Sequence, residues 1–148
     1  MNWHDELRKS PLFHGTEPVR EMDMLYPPFR VRVELLLKDA RAAGLPAAVF
    51  ETFRSAERQA SLFRLGRTKL RSNGMHHYGV ACDVVFLDGD GHFTWNAASG
   101  LWEQLGAAGK KHGLCWGGDW KGFRDCPHFQ LVPESRAAQE QIIRGMYP

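Results

Sequence analysis

Histidine and aspartate side chains lie close together in the segment His76-His77-Tyr78-Gly79-Val80-Ala81-Cys82-Asp83. Residues seven apart on a helix share a face but lie about 10 Å apart along its axis, and on a strand they are farther apart still. His76 and Asp83 could therefore reach one metal ion only if the chain bends, and Gly79 bends readily. Asp83 lies in an otherwise apolar run, where a carboxylate needs a partner. A divalent metal and an arginine are both suitable partners, and these residues alone do not choose between them. Because His76 and His77 are neighbours and should point in different directions, we expect one of them at most to be a ligand.

A second group lies between Trp116 and Gln130, in a segment rich in glycine and tryptophan. His128 begins a predicted strand, and Asp125 precedes it by three positions. On a straight strand these two side chains would face opposite sides, so they converge only if Pro127 marks a bent approach. A carboxylate beside a metal-bound water could act as the general base of a hydrolysis and then as the acid toward a leaving amine. Turn formation is the alternative role for this aspartate.

Other polar and aromatic residues of this segment have structural explanations that we favour. Asp119 follows two glycines, as in an ordinary turn, and we expect it to support the site by orienting a ligand histidine. Trp116 and Trp120 are expected to pack against the fold rather than to form platforms for a substrate.

A third group is Phe53-Arg54-Ser55-Ala56-Glu57-Arg58-Gln59. Arg54 lies where a predicted strand ends and a helix capped by Ser55 begins, a place where a cation can face a cleft. There its guanidinium could hold a carbonyl oxygen on which negative charge develops. The alternative is an ordinary surface arginine.

Apolar periodicity predicts the elements that must position these groups. The acidic segment Asp88-Gly89-Asp90-Gly91 lacks the other ligands of a calcium loop and is predicted to be a hairpin turn. Residues 1–28 are expected to be irregular and to wrap around the domain. The predicted helices are 29–43, 55–66, 98–112 and 135–144, and the predicted strands are 47–53, 79–87, 92–95, 114–116 and 128–132. This order predicts an α+β domain with a small antiparallel sheet flanked by helices.

Composition and charge exclude several classes of protein. The 148 residues suit one domain, residues 1–148, and the net charge of +2 is too small to argue for nucleic acid. The chain has no apolar run long enough for a membrane span and no secretory signal, so we expect synthesis in the cytoplasm. Cys82, Cys115 and Cys126 lack the spacing of a disulfide framework or a zinc ribbon, although Cys115 and Cys126 could pair in an oxidising compartment. A thiol hydrolase built on Cys126 and His128 is a further alternative.

The motifs together resemble those of the zinc D-Ala-D-Ala carboxypeptidase and L-alanyl-D-glutamate endopeptidase family, which includes bacterial cell-wall peptidases and phage endolysins. The resemblance covers about residues 47–132. It rests on four motifs in the family's order: Phe53-Arg54-Ser55-x-Glu57-Arg58-Gln59, His76-x-x-Gly79-x-Ala81-x-Asp83, Trp116-Gly117-Gly118-Asp119-Trp120 and Asp125-x-Pro127-His128-Phe129.

The resemblance implies a function and a role for each site residue. It makes His76, Asp83 and His128 zinc ligands, Asp125 the catalytic acid and base, and Arg54 the group that steadies the scissile carbonyl. Asp119, Trp120 and Gln59 become candidates for substrate binding or for support of the ligands.

The implied protein is a monomeric peptidase that cleaves the stem peptide of peptidoglycan and reaches the cell wall after release. The endolysin-like form of the motifs favours the L-Ala–D-Glu bond. D-Ala-D-Ala carboxypeptidase or dipeptidase action is the alternative, and a non-catalytic binding module like the Hedgehog signalling domain is a remoter one.

The chain departs from the family pattern at one position. Members usually carry a serine two positions before the first ligand, where this chain has Gly74. The hydroxyl that would contact the substrate is missing there, and Ser72 is the nearest candidate to replace it.

Overall fold

The predicted elements form an α+β fold in a computed structural model that describes residues 1–70 and 74–148. Five α-helices and five strands are present in these ranges. The helices are α1 (Trp3–Leu7), α2 (Pro27–Ala42), α3 (Ala56–Arg64), α4 (Leu101–Lys111) and α5 (Arg136–Ile143). The strands are β1 (Ala47–Glu51), β2 (Ala81–Leu87), β3 (Phe93–Thr94), β4 (Cys115–Trp116) and β5 (His128–Gln130). None of the helices in this part of the chain is both long enough and apolar enough to span a bilayer.

The strands form one antiparallel sheet in the order β1-β2-β5-β4, and β3 pairs with the end of β2. The predicted antiparallel sheet flanked by helices is therefore confirmed. The register matters for function because Asp83 of β2 pairs with His128 of β5. Strand β1 contains a bulge, because Val49 pairs with Val84 but the next pairing joins Glu51 to Asp83.

Helix α2 covers the sheet with the apolar stripe that the sequence predicts. Its buried residues Phe29, Val33, Leu36 and Ala40 belong to the same core cluster as the apolar residues of β2. Pro27 at the first turn suits a helix start, since its missing N–H would have no partner there. The helix thus begins two residues before the predicted boundary and holds the sheet that carries two of the candidate ligands.

The N-terminal segment is more ordered than predicted. Residues 1–28 contain α1 and two short 3-10 turns, Pro11–Phe13 and Met22–Met24. The Asn2 side chain caps α1 by accepting a hydrogen bond from the His4 backbone N–H. Leu7, Val19 and Met24 of this segment form a small second core with Phe53.

Several predicted boundaries shift at glycines or at the ends of strand pairing. Helix α4 begins at Leu101 rather than at 98, because Gly100 at its N-cap adopts a left-handed φ of +88°. Strand β1 ends at Glu51, just before the residues that approach the site.

Candidate metal centre and active site

Three predicted ligands converge although they come from separate elements. His76 lies on the 3-10 turn Met75–Tyr78, Asp83 on β2 and His128 on β5. One donor atom from each lies within 4.8 Å of the other two. Asp83 Oδ1 is 3.3 Å from His76 Nε2 and 3.4 Å from His128 Nδ1. The bend that this convergence requires is at Gly79, whose φ is +73°.

Contacts outside the cluster orient both imidazole rings. His76 Nδ1 lies 2.8 Å from the carbonyl oxygen of Thr52, so this nitrogen donates a proton and leaves Nε2 as an acceptor toward the cluster. His128 Nε2 lies 2.8 Å from Gln130 Oε1, which leaves its Nδ1 toward Asp83. The Gln130 amide is itself fixed, because its nitrogen donates to the carbonyl of Val132 at 2.8 Å. Such contacts select the nitrogen that can bind a metal.

The donor atoms fit a divalent metal. His76 Nε2 and Asp83 Oδ1 are buried and have no hydrogen-bond partner among the residues that the structure describes. An unsatisfied buried polar atom costs about 1–3 kcal/mol, and a cation between these atoms would remove that cost. Burial alone would raise the pKa of Asp83, but the neighbouring His76 and His128 hold it well below its usual value. Two imidazole nitrogens and one carboxylate oxygen that leave a coordination position open are typical of catalytic zinc sites.

Arg54 lies beside this cluster and is held from three sides. Its Nη2 donates to Glu51 Oε1 at 2.9 Å and lies 3.4 Å from Asp83 Oδ2, and its Nη1 donates to Gln59 Oε1 at 3.2 Å. The side chain is only 14% exposed, so the alternative of an ordinary surface arginine is wrong. One oxygen of Asp83 contacts Arg54, and the other faces His76 and His128. An arginine partner and a metal partner for this carboxylate are therefore compatible.

Asp125 approaches the cluster through a tight turn before β5. Its backbone N–H donates to the carbonyl of Gly117 at 2.9 Å, and its carbonyl accepts from the His128 N–H at 3.2 Å. A Cβ at position 117 would lie 2.3 Å from the Asp125 carbonyl oxygen, so only glycine permits this approach. Burial, and then the negative charge of Asp83, raises the pKa of Asp125. A carboxylate with a raised pKa in this position is suited to accept and return a proton.

A cleft of about 550 Å³ joins these groups to the surface. Its lining includes the charged residues Arg54, Asp83 and Asp125 and the aromatic residues Phe50, Trp95, Trp102 and Phe123. Asp125 and the cluster residue Asp83 therefore line the same cleft.

The other three predicted site residues, which are Asp119, Trp120 and Gln59, each make different contacts. Asp119 does not orient a ligand histidine; it accepts from Lys110 Nζ at 2.9 Å, and Thr52 and Gln130 orient the rings instead. Trp120 packs its ring 4.9 Å from that of His128, between ring centroids. Gln59 is buried and donates to the carbonyl of Leu70 at 2.7 Å while it accepts from Arg54.

His77 faces away from the cluster, as expected for a neighbour of His76. Its ring packs among those of His4, Phe13 and Phe53, and its Nδ1 lies 3.0 Å from the carbonyl of Arg54. Burial in this aromatic environment lowers its pKa. Trp116 is buried in the core, where its Nε1 donates to the carbonyl of Cys126, and it packs as predicted.

Sequence reasoning missed three residues that organise the site. Thr52 acts through its backbone carbonyl, which no side-chain pattern reports. Gln130 lies two residues after His128 on the same face of β5, a spacing that could have indicated it. Glu51 is the charged residue of a mostly apolar predicted strand, a signal like the one that singled out Asp83.

The thiol alternative finds no support in the geometry. Cys82, Cys115 and Cys126 are all free thiols in the part of the chain that the structure describes. Burial raises the pKa of Cys126, which disfavours the reactive thiolate. The two nitrogens of His128 face Asp83 and Gln130 rather than a thiol.

Gly74 precedes the ligand turn and has close neighbours. A Cβ there would lie 2.6 Å from a methyl carbon of Leu70. Ser72, the candidate to replace the family's hydroxyl, lies outside the described residues.

Comparisons with known proteins agree with the resemblance seen in the motifs. A family model described as D-alanyl-D-alanine carboxypeptidase matches residues 67–131. The peptidoglycan L-alanyl-D-glutamate endopeptidase CwlK of Bacillus subtilis is 28% identical over 82% of this chain and 83% of its own length. The L-alanyl-D-glutamate peptidase of Listeria phage A118 is 34% identical over 65% of this chain, a match that spans 34% of the phage protein.

A solved structure extends the likeness to three dimensions. The L-Ala D-Glu endopeptidase ChiX of Serratia marcescens superposes with a TM-score of 0.62 and 29% identity, covering 75% of this chain and 83% of that one. The resemblance to the family is thereby confirmed.

Proposed function

We propose that this chain is a zinc enzyme that hydrolyses the stem peptide of peptidoglycan, as a peptidase of the D-alanyl-D-alanine carboxypeptidase and L-alanyl-D-glutamate endopeptidase family. One observation carries the zinc assignment. His76 Nε2, Asp83 Oδ1 and His128 Nδ1 face one another, and contacts outside the cluster have already set both histidine tautomers.

The cleft residues have separate roles in the proposed reaction. Zinc, when bound by His76, Asp83 and His128, supplies a Lewis acid that lowers the pKa of a water molecule and polarises a carbonyl. Asp125 takes the proton from the attacking water and later gives it to the leaving amine, a role that its raised pKa favours. The Arg54 guanidinium stabilises the negative charge that develops on the carbonyl oxygen, and Gln59 helps to hold it in place.

The L-Ala–D-Glu bond is the scissile bond that we favour. Two curated relatives and one solved structure bear that activity in their names. The D-Ala-D-Ala bond is the second candidate, supported by the description of the matching family model. The presence of Asp125 and Arg54 at the cleft argues against a purely binding module.

We also propose that the protein acts on the cell wall as a monomer, with residues 1–148 as one peptidase domain. All five principal site residues come from a single chain, so the proposed reaction needs no second copy. The ligands are His76, Asp83 and His128, and the other two are Asp125 and Arg54.

Digestion of purified peptidoglycan tests this function. Mass spectrometry of the soluble fragments should find new amino-terminal D-Glu, whereas hydrolysis of the D-Ala–D-Ala bond would release free D-Ala. A chelator should abolish turnover and added zinc should restore it, while a Cys126→Ser variant should remain active. Turnover that survives complete metal removal but not alkylation of Cys126 would contradict the proposal.

A further inference from the structure

Glu51 is a buried carboxylate beside the candidate metal centre. Its side chain is 1% exposed, and each of its oxygens accepts from a different guanidinium. Oε1 is 2.9 Å from Arg54 Nη2, and Oε2 is 3.0 Å from Arg58 Nε. Burying a charge is costly even when it is paired, and well-packed apolar residues often replace such ion pairs without loss of stability. A role in stability alone therefore explains this carboxylate poorly.

The β-bulge in β1 places Glu51 toward the site. Without the extra residue, the pairing of Val49 with Val84 would put Phe50 opposite Asp83. The bulge puts Glu51 there instead. Phe50 instead lines the cleft beside Trp95, and the centroids of their two rings lie 4.7 Å apart. Bulges next to active sites commonly redirect a side chain in this way.

Arg54 links Glu51 to the metal ligand Asp83. Its Nη2 donates to Glu51 Oε1 and also lies 3.4 Å from Asp83 Oδ2. The other oxygen of Asp83 faces His76 and His128. The position of the guanidinium thus determines which carboxylate oxygen remains available inside the cluster.

We infer that Glu51 is a positioning residue: it fixes the Arg54 guanidinium and, through it, presents Asp83 Oδ1 to the metal. This inference rests on the proposed function. Glu51 also offsets the charge of Arg54, which would otherwise repel a cation at the neighbouring site. Loss of Glu51 should therefore weaken metal binding and transition-state stabilisation together.

The test uses Glu51→Gln, which keeps the shape but removes the charge. Metal-free protein is titrated with zinc in competition with a chromophoric chelator, and kcat and KM are measured separately. We expect zinc affinity to fall about 10–100-fold, as for other residues that support metal ligands. We also expect kcat to fall more than KM rises, because Arg54 acts on charge that develops in the transition state. Asp39→Asn is the matched control, since it removes a carboxylate paired with His112 away from the cleft.

Two more variants separate positioning from stability. Arg58→Gln removes the Oε2 contact and an exposed one to the Thr16 carbonyl, leaves the Arg54 contact of Glu51 in place, and should reduce zinc affinity less than Glu51→Gln does. Glu51→Asp keeps the charge and should recover part of both losses; it carries the test if the glutamine variant does not fold. The inference is overturned if Glu51 variants lower only thermal stability, or if Arg58→Gln weakens zinc binding equally. A wild-type protein that neither binds zinc nor cleaves peptidoglycan would instead overturn the proposed function.

Discussion

Two regions of the molecule each hold three potential metal ligands close together. The two regions differ in burial and in the contacts that their donor atoms already make. His76, Asp83 and His128 form one group, and Asp88, Asp90 and His92 form the other. Donor atoms within each group lie within 4.8 Å of one another. The first group is buried or half-buried and its Asp83 lines the cleft, whereas all three members of the second are exposed on the hairpin between β2 and β3.

The difference lies in how the donor atoms are already used. In the hairpin, Asp88 Oδ1 accepts from the backbone N–H groups of Asp90 at 2.9 Å and His92 at 3.0 Å. These bonds lower the pKa of Asp88 and stabilise the predicted turn. In the cleft, the outward nitrogens of the histidines are held by other groups, and the inward atoms are left for a ligand. Residue type and proximity are thus insufficient to identify a metal site. Burial, and orientation by contacts outside the cluster, distinguish the two groups.

Removing one histidine from each group tests the comparison most strongly. We expect His76→Ala to lose stoichiometric zinc and turnover, a larger effect than the roughly 10–100-fold cost of losing an outer contact. His92→Ala should bind zinc as the wild type does, because its ring is exposed and contributes to a turn. Metal analysis after dialysis, together with chelator competition, measures both. Equal zinc loss in the two variants would remove the distinction between the regions.

Replacing Asp125 separates a ligand from a proton carrier within the cleft. Asp125→Asn should keep fold and zinc while turnover falls about 10²–10⁴-fold, because an amide cannot take a proton from the attacking water. Zinc content and the rate on a stem-peptide substrate are measured with and without added zinc. A variant that is depleted of metal and rescued by zinc would make Asp125 a ligand, and a fully active one would place the base elsewhere.

No loss of metal is expected at His77, although it shares its turn with the ligand His76. His77→Ala should retain zinc but lower the free energy of unfolding by about 1–3 kcal/mol, because a buried ring and its hydrogen bond are lost. Urea denaturation measures this loss. His77→Phe, which keeps most of the ring packing, should recover part of it. Zinc loss in the alanine variant with zinc retained in His76→Ala would mean that the ligand assignment is reversed.

Elements with strong apolar periodicity were predictable from the sequence. The stripe of Val33, Leu36 and Ala40 identified α2, and the apolar run around Asp83 identified β2. Helix α1 was missed because five residues give no periodic pattern, and it is held by tertiary contacts such as the hydrogen bond from Trp3 Nε1 to the Met24 carbonyl.

The candidate site was predictable to the extent that residue type reports chemistry. Two histidines and two carboxylates, with a glycine at the necessary bend, were compatible with hydrolysis at a metal, and the family resemblance made the metal the favoured partner of Asp83. The orienting contacts were not predictable, because a backbone carbonyl such as that of Thr52 has no signature in the sequence. The bulge likewise depends on pairing between strands, so the position of Glu51 could not be read from strand alternation.

The pairing of Asp83 with His128 joins residues that are far apart in the sequence. With the proposed zinc in place, the ion is a cross-link that closes a long loop of the chain, and only the folded protein contains the complete ligand set. Each tenfold rise in free zinc above the dissociation constant then stabilises the folded state by about 1.4 kcal/mol. Metal supply would therefore govern how long the protein survives proteolysis, in addition to whether it can catalyse.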